Sequence, residues 1–239
     1  RSTCSCSTSA AASGKPRRLH LLLRRILEQT NVQRLRISSV EPMDWTDEMF
    51  ELMARSPRIA AHVHMPLQSG SDAVLKRMKR RYRTRHYEDR ILRAASLMPE
   101  AGFGADVMTG FPGESDAEFQ ETLEFISRMP LTYLHVFTYS ERPGTPAAGM
   151  PGRVPWEVRK ERTRQLRRLA AEKNLAFRRR FVGRTVDAVT LDNGKALTGN
   201  YLTVELGRPR SANQIVPVRI GGLSPSGLAE AGALPVLAI

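Results

Sequence analysis

Residues 104–114, Gly-Ala-Asp-Val-Met-Thr-Gly-Phe-Pro-Gly-Glu, constrain the fold more than any other stretch of the chain. Val107 and Met108 suit a strand covered on both faces. Gly110 and Gly113 let backbone or ligand approach closely, and Pro112 between them stiffens the turn. Ser115 stands three residues before Glu118, the spacing of a capping box, and Phe119, Leu123 and Ile126 then recur at helical intervals. Strand, glycine turn and helix in this order form the unit of a parallel sheet, which brings small-molecule sites to the carboxyl ends of its strands.

The same alternation extends to both sides. A basic amphipathic helix is expected from Lys15 to about Asn31, a strand over 35–40, a helix capped by Thr46, a strand over 60–65 with a polar loop over 66–71, and helices over 72–78 and 85–98. A strand over 132–139 follows, then a Pro/Gly linker over 143–155 and a long basic helix to about Arg180, with Pro155 in its first turn. Four strands separated by helices predict an α/β fold of barrel or doubly wound type. After Phe181 the pattern changes to short strands over 185–191, 202–206 and 215–220, parted by glycine turns, which predicts a small antiparallel barrel as a second domain over 181–239. Residues 1–14 lack any periodicity and are expected to be disordered.

Charge narrows the class of partner. The chain of 239 residues carries 37 Lys/Arg against 24 Asp/Glu, a net +13, which favours a polyanion and nucleic acid first. Two cysteines, Cys4 and Cys6, are too few and too close for a disulfide framework, so a reducing cytoplasm is the expected setting. No membrane span is expected, because the most apolar run, over 19–27, is broken by His20, Arg24 and Arg25.

Four constellations carry possible chemistry. The first is the loop after the 60–65 strand, where Gln68, Ser69 and Ser71 flank Gly70 and suit a polar cofactor. His62 and His64 share a strand face, but a metal set completed by Cys4 and Cys6 is disfavoured by the position and spacing of those thiols. The second is the basic run 76–86, from which one arginine is expected to clamp a carboxylate. The third is 135–145, where Phe137 and Tyr139 share a face and suit the flank of an adenine. The fourth is the helix ending near Arg180, whose span 153–180 holds eleven Lys/Arg against three Glu; Arg167, Arg168, Arg178, Arg179 and Arg180 are its candidates for a phosphate backbone.

Taken together, Arg36-Ile-Ser-Ser-Val-Glu-Pro42, the loop from His64 to Ser71, Met78-Lys-Arg-Arg-Tyr82, Gly110-Phe-Pro-Gly-Glu114 and the stretch from His135 to Thr145 resemble the radical S-adenosylmethionine methylthiotransferases, enzymes that insert a methylthio group into tRNA or a ribosomal protein. The likeness is greatest to the branch acting on threonylcarbamoyladenosine in tRNA. It implies a partial (βα) barrel over 15–180 and an RNA-binding TRAM-like barrel beyond it. It also implies that Ser38, Ser39, Glu41, Gln68, Ser69, Arg80, Gly110 and Phe137 or Tyr139 line a site for S-adenosylmethionine. The family uses two 4Fe-4S clusters, each on three cysteines, and this sequence has neither set. The resemblance therefore implies an amino-terminally truncated enzyme, lacking two strands and inactive alone, with a non-catalytic RNA-binding protein or a ribosomal-protein methylthiotransferase as alternatives.

Overall fold

A computed structural model describes residues 19–232. The expected tail over 1–14, both cysteines and the start of the first helix lie outside the described residues. The α/β part comprises α1 (Leu19–Gln29), α2 (Asp47–Arg55), β1 (His62–His64), α3 (Asp72–Arg77), α4 (Thr84–Leu97), β2 (Gly102–Thr109), α5 (Asp116–Arg128), β3 (Tyr133–Thr138) and α6 (Trp156–Arg179). The strands form a parallel sheet in the order β1-β2-β3. The capping box is present at α5: Ser115 Oγ accepts from the Glu118 N–H, and the Glu118 carboxylate accepts from the Ser115 N–H.

The central strand is covered on both faces at its amino end and more thinly on one face at Asp106 and Met108, which are half-buried. Phe103, Ala105 and Val107 are buried against Met49, Phe50, Tyr87, Ile91, Phe119, Phe125 and Ile126 of the surrounding helices. On the opposite face Gly102, Gly104, Asp106 and Met108 alternate, and there only glycine makes room for the groups that lie across the sheet. A Cβ at Gly104 would fall 2.0 Å from the Tyr133 ring, and one at Gly102 would fall 2.2 Å from the Asn200 carbonyl oxygen.

The strand expected over 35–40 is not a regular strand. Leu35 bridges Ile59 and Ser39 bridges His64, both in parallel sense. One side advances four residues between the two bridges while the other advances five, so the ladder is broken and the segment meets residues 59–64 at their two ends, only the second of which lies in β1. The described sheet consequently has three strands, one fewer than the sequence predicts.

Helix α6 places the second part of the molecule. Its 24 residues reach about 36 Å. Thr163 bonds Thr109 and Thr138 at the carboxyl ends of β2 and β3, whereas Asn174 donates to the Thr132 carbonyl at the amino end of β3. The helix thus runs antiparallel to the strands and releases the chain beneath their amino ends. Pro155 is the residue before α6, at its N-cap, rather than within the first turn.

There β4 (Thr185–Thr190), β5 (Lys195–Thr198), β6 (Thr203–Glu205), β7 (Ile215–Leu223) and β8 (Leu228–Glu230) close into a barrel in the order β4-β5-β6-β8-β7. Pairings are antiparallel except β6 with β8. The sequence predicts β4, β6 and β7 and misses β5 and β8. Phe177 and Phe181 stack edge-to-face and join Val204, Val218, Ile220 and Leu228 in the barrel core.

The barrel docks through arginines on backbone carbonyls and through one exposed side-chain pair, Arg184 with Glu100 at 2.6 and 3.1 Å. Arg36 donates to the carbonyls of Thr198 at 2.8 Å and Gly199 at 3.2 Å, and Arg180 donates to that of Pro99 at 2.8 Å. Arg178 donates within the barrel to Ser224 and Gly227, fastening it to the end of α6. No helix among the described residues is long and apolar enough to cross a membrane.

Candidate active site

The face of the sheet turned away from α2, α4 and α5 is polar. Period two brings His62 and His64 of β1, Asp106 of β2, and Tyr133, His135 and Phe137 of β3 to the same side, where the registers His64–Gly104 and Asp106–His135 set them next to one another. Because Gly104 has no side chain, the Tyr133 ring lies across the sheet and its hydroxyl meets His62 Nε2 at 2.7 Å and His64 Nδ1 at 2.9 Å. His64 Nε2 and His135 Nδ1 each lie 3.1 Å from the same oxygen, Asp106 Oδ1. Tyr201 reaches up from the barrel, stacks on His62 with ring centroids 4.5 Å apart, and lies under the Arg36 guanidinium. These groups, with Ser38 and Ser39, line a cavity of about 460 Å³.

Burial and the adjacent Arg36 charge push the His62 pKa down to about 3, so this ring is neutral. Burial also raises the Tyr133 pKa and keeps its hydroxyl protonated.

The expected cofactor residues divide into three groups. Ser38, Ser39 and Phe137 line the cavity, and Phe137 is half exposed. Glu41 pairs with Arg80 at 2.9 Å, one residue beyond the backbone bond from Val40 to His64, and Arg77 of the same run holds Glu118 through both terminal nitrogens at 2.9 and 2.7 Å, so both arginines are engaged within the chain. Gln68 has a φ of 65°, because its N–H and C=O both bond into β2, to Asp106 and Met108; its side-chain amide has no partner among the described residues. Ser69 faces away from the cavity, buried, with its hydroxyl on Thr122.

Gly110 and Tyr139 belong to the turn over the strand ends. Gly110 has a φ of 73° and donates to Glu114 Oε2 at 2.7 Å; a Cβ there would fall 2.1 Å from Arg159 Cγ. Tyr139 packs edge-to-face on Phe111, and its carbonyl accepts from Arg159. Burial raises the pKa of Glu114, against the pull of Gly110 and of Arg162, which donates to Glu114 at 2.7 Å and to Asp116 at 2.6 Å.

The comparisons agree with this architecture. Residues 12–126 match the family model described as "Radical SAM superfamily". The chain belongs to the radical SAM superfamily. It is 39% identical over 203 residues to the threonylcarbamoyladenosine tRNA methylthiotransferase MtaB of Rickettsia prowazekii, covering 84% of this chain and 48% of that one. It is 40% identical over 192 residues to the tRNA-2-methylthio-N(6)-dimethylallyladenosine synthase of Nocardia farcinica, covering 80% and 38%. Among solved structures, coproporphyrinogen III oxidase (HemN) of Escherichia coli, a radical SAM enzyme, superposes with a TM-score of 0.52 at 13% identity, covering 72% of this chain and 43% of that one; this supports the fold alone. The chain spans about half the length, or less, of these relatives.

In this radical SAM chain the arginines of α6 do different work. Arg159 and Arg162 are buried in the strand-end turn, and Arg178 and Arg180 bond carbonyls at the docked barrel. Arg167, Arg168 and Arg179 are exposed, and Arg168 pairs with Glu172 at 3.1 Å. Sequence reasoning missed Asp106, Tyr133 and Tyr201. A carboxylate inside a strand otherwise apolar was the available signal for Asp106; Tyr133 and Tyr201 become meaningful only once strand register and docking are known.

Proposed function

We propose that this chain is the cofactor- and RNA-binding portion of a tRNA methylthiotransferase acting at N6-threonylcarbamoyladenosine. The 39% identity to the R. prowazekii enzyme over 84% of the chain carries the reading. S-adenosylmethionine suits the polar face: Ser38 and Ser39 offer hydroxyls and Phe137 a half-exposed ring for the adenine. When bound, it supplies an activated sulfonium carbon. The chain's own residues hold and orient it, with Arg80 kept in place by Glu41.

An iron–sulfur cluster does not fit the thiols of this chain. Cys4 and Cys6 are its only cysteines, one residue apart, and two thiolates do not replace three. No catalytic step is therefore assigned to this polypeptide alone. The closed barrel, read as TRAM-like, and the exposed Arg167, Arg168 and Arg179 form the surface offered to tRNA.

The test measures labelled S-adenosylmethionine by equilibrium dialysis and tRNA by fluorescence anisotropy at several salt concentrations. Expected are saturable cofactor binding, weakened about tenfold by Phe137→Ala, roughly the size of one aromatic contact, and tRNA affinity that falls steeply with salt. Binding of tRNA without S-adenosylmethionine would favour a non-catalytic RNA-binding protein. Absence of tRNA binding would move the substrate to a ribosomal protein.

A further inference from the structure

Among the described residues, His64, Asp106 and His135 are the one group of three such side chains close enough to share a metal ion, their ligand atoms lying within 4.8 Å of one another. Each comes from a different strand of one sheet, so backbone ladders fix their spacing. Asp106 is held most firmly: its carbonyl accepts the N–H groups of Leu67 and Gln68.

The two nitrogen–oxygen separations are 3.1 Å each. Ligands placed 2.0–2.1 Å from a tetrahedral Zn²⁺ stand about 3.3 Å apart, so each nitrogen needs to part from the Asp106 oxygen by only a few tenths of an ångström.

Proton counting shows two states for this cluster. The Tyr133 hydroxyl has one proton and meets two ring nitrogens, so one histidine must donate to it. If His62 donates, Tyr133 donates to His64 Nδ1, and His64 Nε2 carries the proton that bonds Asp106. If His64 donates through Nδ1, its Nε2 faces the carboxylate oxygen at 3.1 Å with either a second ring proton or a metal ion between them. Tyr133 is the outer-shell partner that a metal-bound histidine characteristically has on its other nitrogen.

We propose that His64 Nε2, Asp106 Oδ1 and His135 Nδ1 bind a divalent transition-metal ion of the Zn²⁺ class, with its remaining coordination positions open to the cavity. Two imidazoles and one carboxylate are borderline ligands that suit Zn²⁺, Co²⁺, Ni²⁺ or Fe²⁺ over Mg²⁺ or Ca²⁺. The half-exposed His135 leaves an entry path from solvent. The site is independent of the thiols that iron–sulfur chemistry would need, and the proposal does not rest on the methylthiotransferase reading.

The experiment titrates Co²⁺ into the chelator-treated full chain, and into the same chain carrying Cys4→Ser and Cys6→Ser so that the tail thiols cannot bind. One Co²⁺ per chain is expected in both, with visible d–d bands, no thiolate charge-transfer band in the serine form, and displacement by Zn²⁺. His135→Ala and Asp106→Asn should each weaken binding by at least about 100-fold, since even outer-shell losses cost 10–100-fold; Tyr133→Phe should cost about tenfold. Because His135 is half exposed, His135→Ala should keep the parent melting temperature, and it decides the matter if Asp106→Asn fails to fold. The proposal is overturned if the serine form shows no d–d bands, or if His135→Ala folds and leaves them unchanged.

Discussion

The two ends of the same three strands are built from different materials. At the amino ends the barrel is gripped mainly through backbone carbonyls, by Arg36 and Arg180, and by a carbonyl oxygen seated over Gly102. At the carboxyl ends the turn is gripped through side chains, with Glu114 tied to Gly110 and to Arg162 in full burial. A carbonyl is available from any residue, so the Arg36 contacts tolerate many sequences on the barrel side, and the one side-chain pair there, Arg184 with Glu100, is solvent-exposed and tolerant of loss. A buried carboxylate and guanidinium are intolerant, because removing either strands the other's charge.

The largest effect should follow from breaking the carboxyl-end pair. Arg162→Met leaves Glu114 buried without its cation, and a loss of about 3–5 kcal/mol is expected in urea unfolding. Adding Glu114→Gln removes the stranded charge and should recover part of that loss, making the double-mutant coupling favourable to the pair. A loss below about 1 kcal/mol for Arg162→Met would be a surface-like value and would remove the contrast between the two ends.

A smaller effect is expected at the amino ends. Gly102→Ala drives a methyl to within 2.2 Å of the Asn200 carbonyl oxygen, which belongs to backbone and cannot rotate aside. The expected cost is about 1–3 kcal/mol, together with faster proteolytic release of the barrel. Gly222→Ala is the matched control, since nothing lies within 4 Å of a Cβ there and its φ is ordinary. Equal effects of the two substitutions would show that the barrel is not seated through Gly102.

This difference in materials also explains what the sequence made legible. The strand-turn-helix at 102–128 was readable because Gly110, Gly113, Ser115 and Glu118 announce their roles by residue type. The segment 35–40 alternates like a strand, yet the one-residue mismatch between its two bridges is a property of the pair, invisible in either strand alone. On the polar face, His62 and His64 were seen to share a side, whereas their convergence with Tyr133 depends on Gly104, a residue whose importance lies in the side chain it lacks. Basic residues of α6 looked alike in sequence; burial separates Arg159 and Arg162, which build the turn, from Arg167, Arg168 and Arg179, which face solvent.

The smallest effect concerns His62, where the two ends meet: its ring stacks on Tyr201 of the barrel and bonds Tyr133 of the polar face. Folded, the ring is neutral, its pKa held near 3 by burial and by Arg36; unfolded, it takes up a proton below about 6.5. The unfolded state therefore binds more protons as pH falls through 6.5, and this group's contribution to stability is present above that value and declines below it. From pH 7.5 to pH 6 the loss from this one ring should be about 1 kcal/mol. His62→Gln keeps a hydrogen-bonding group for Tyr133 and cannot titrate, so its stability should change less over that interval by the same amount. If the parent and His62→Gln chains lose stability in parallel between pH 7.5 and pH 6, the ring is not held neutral beneath Tyr201 and Arg36.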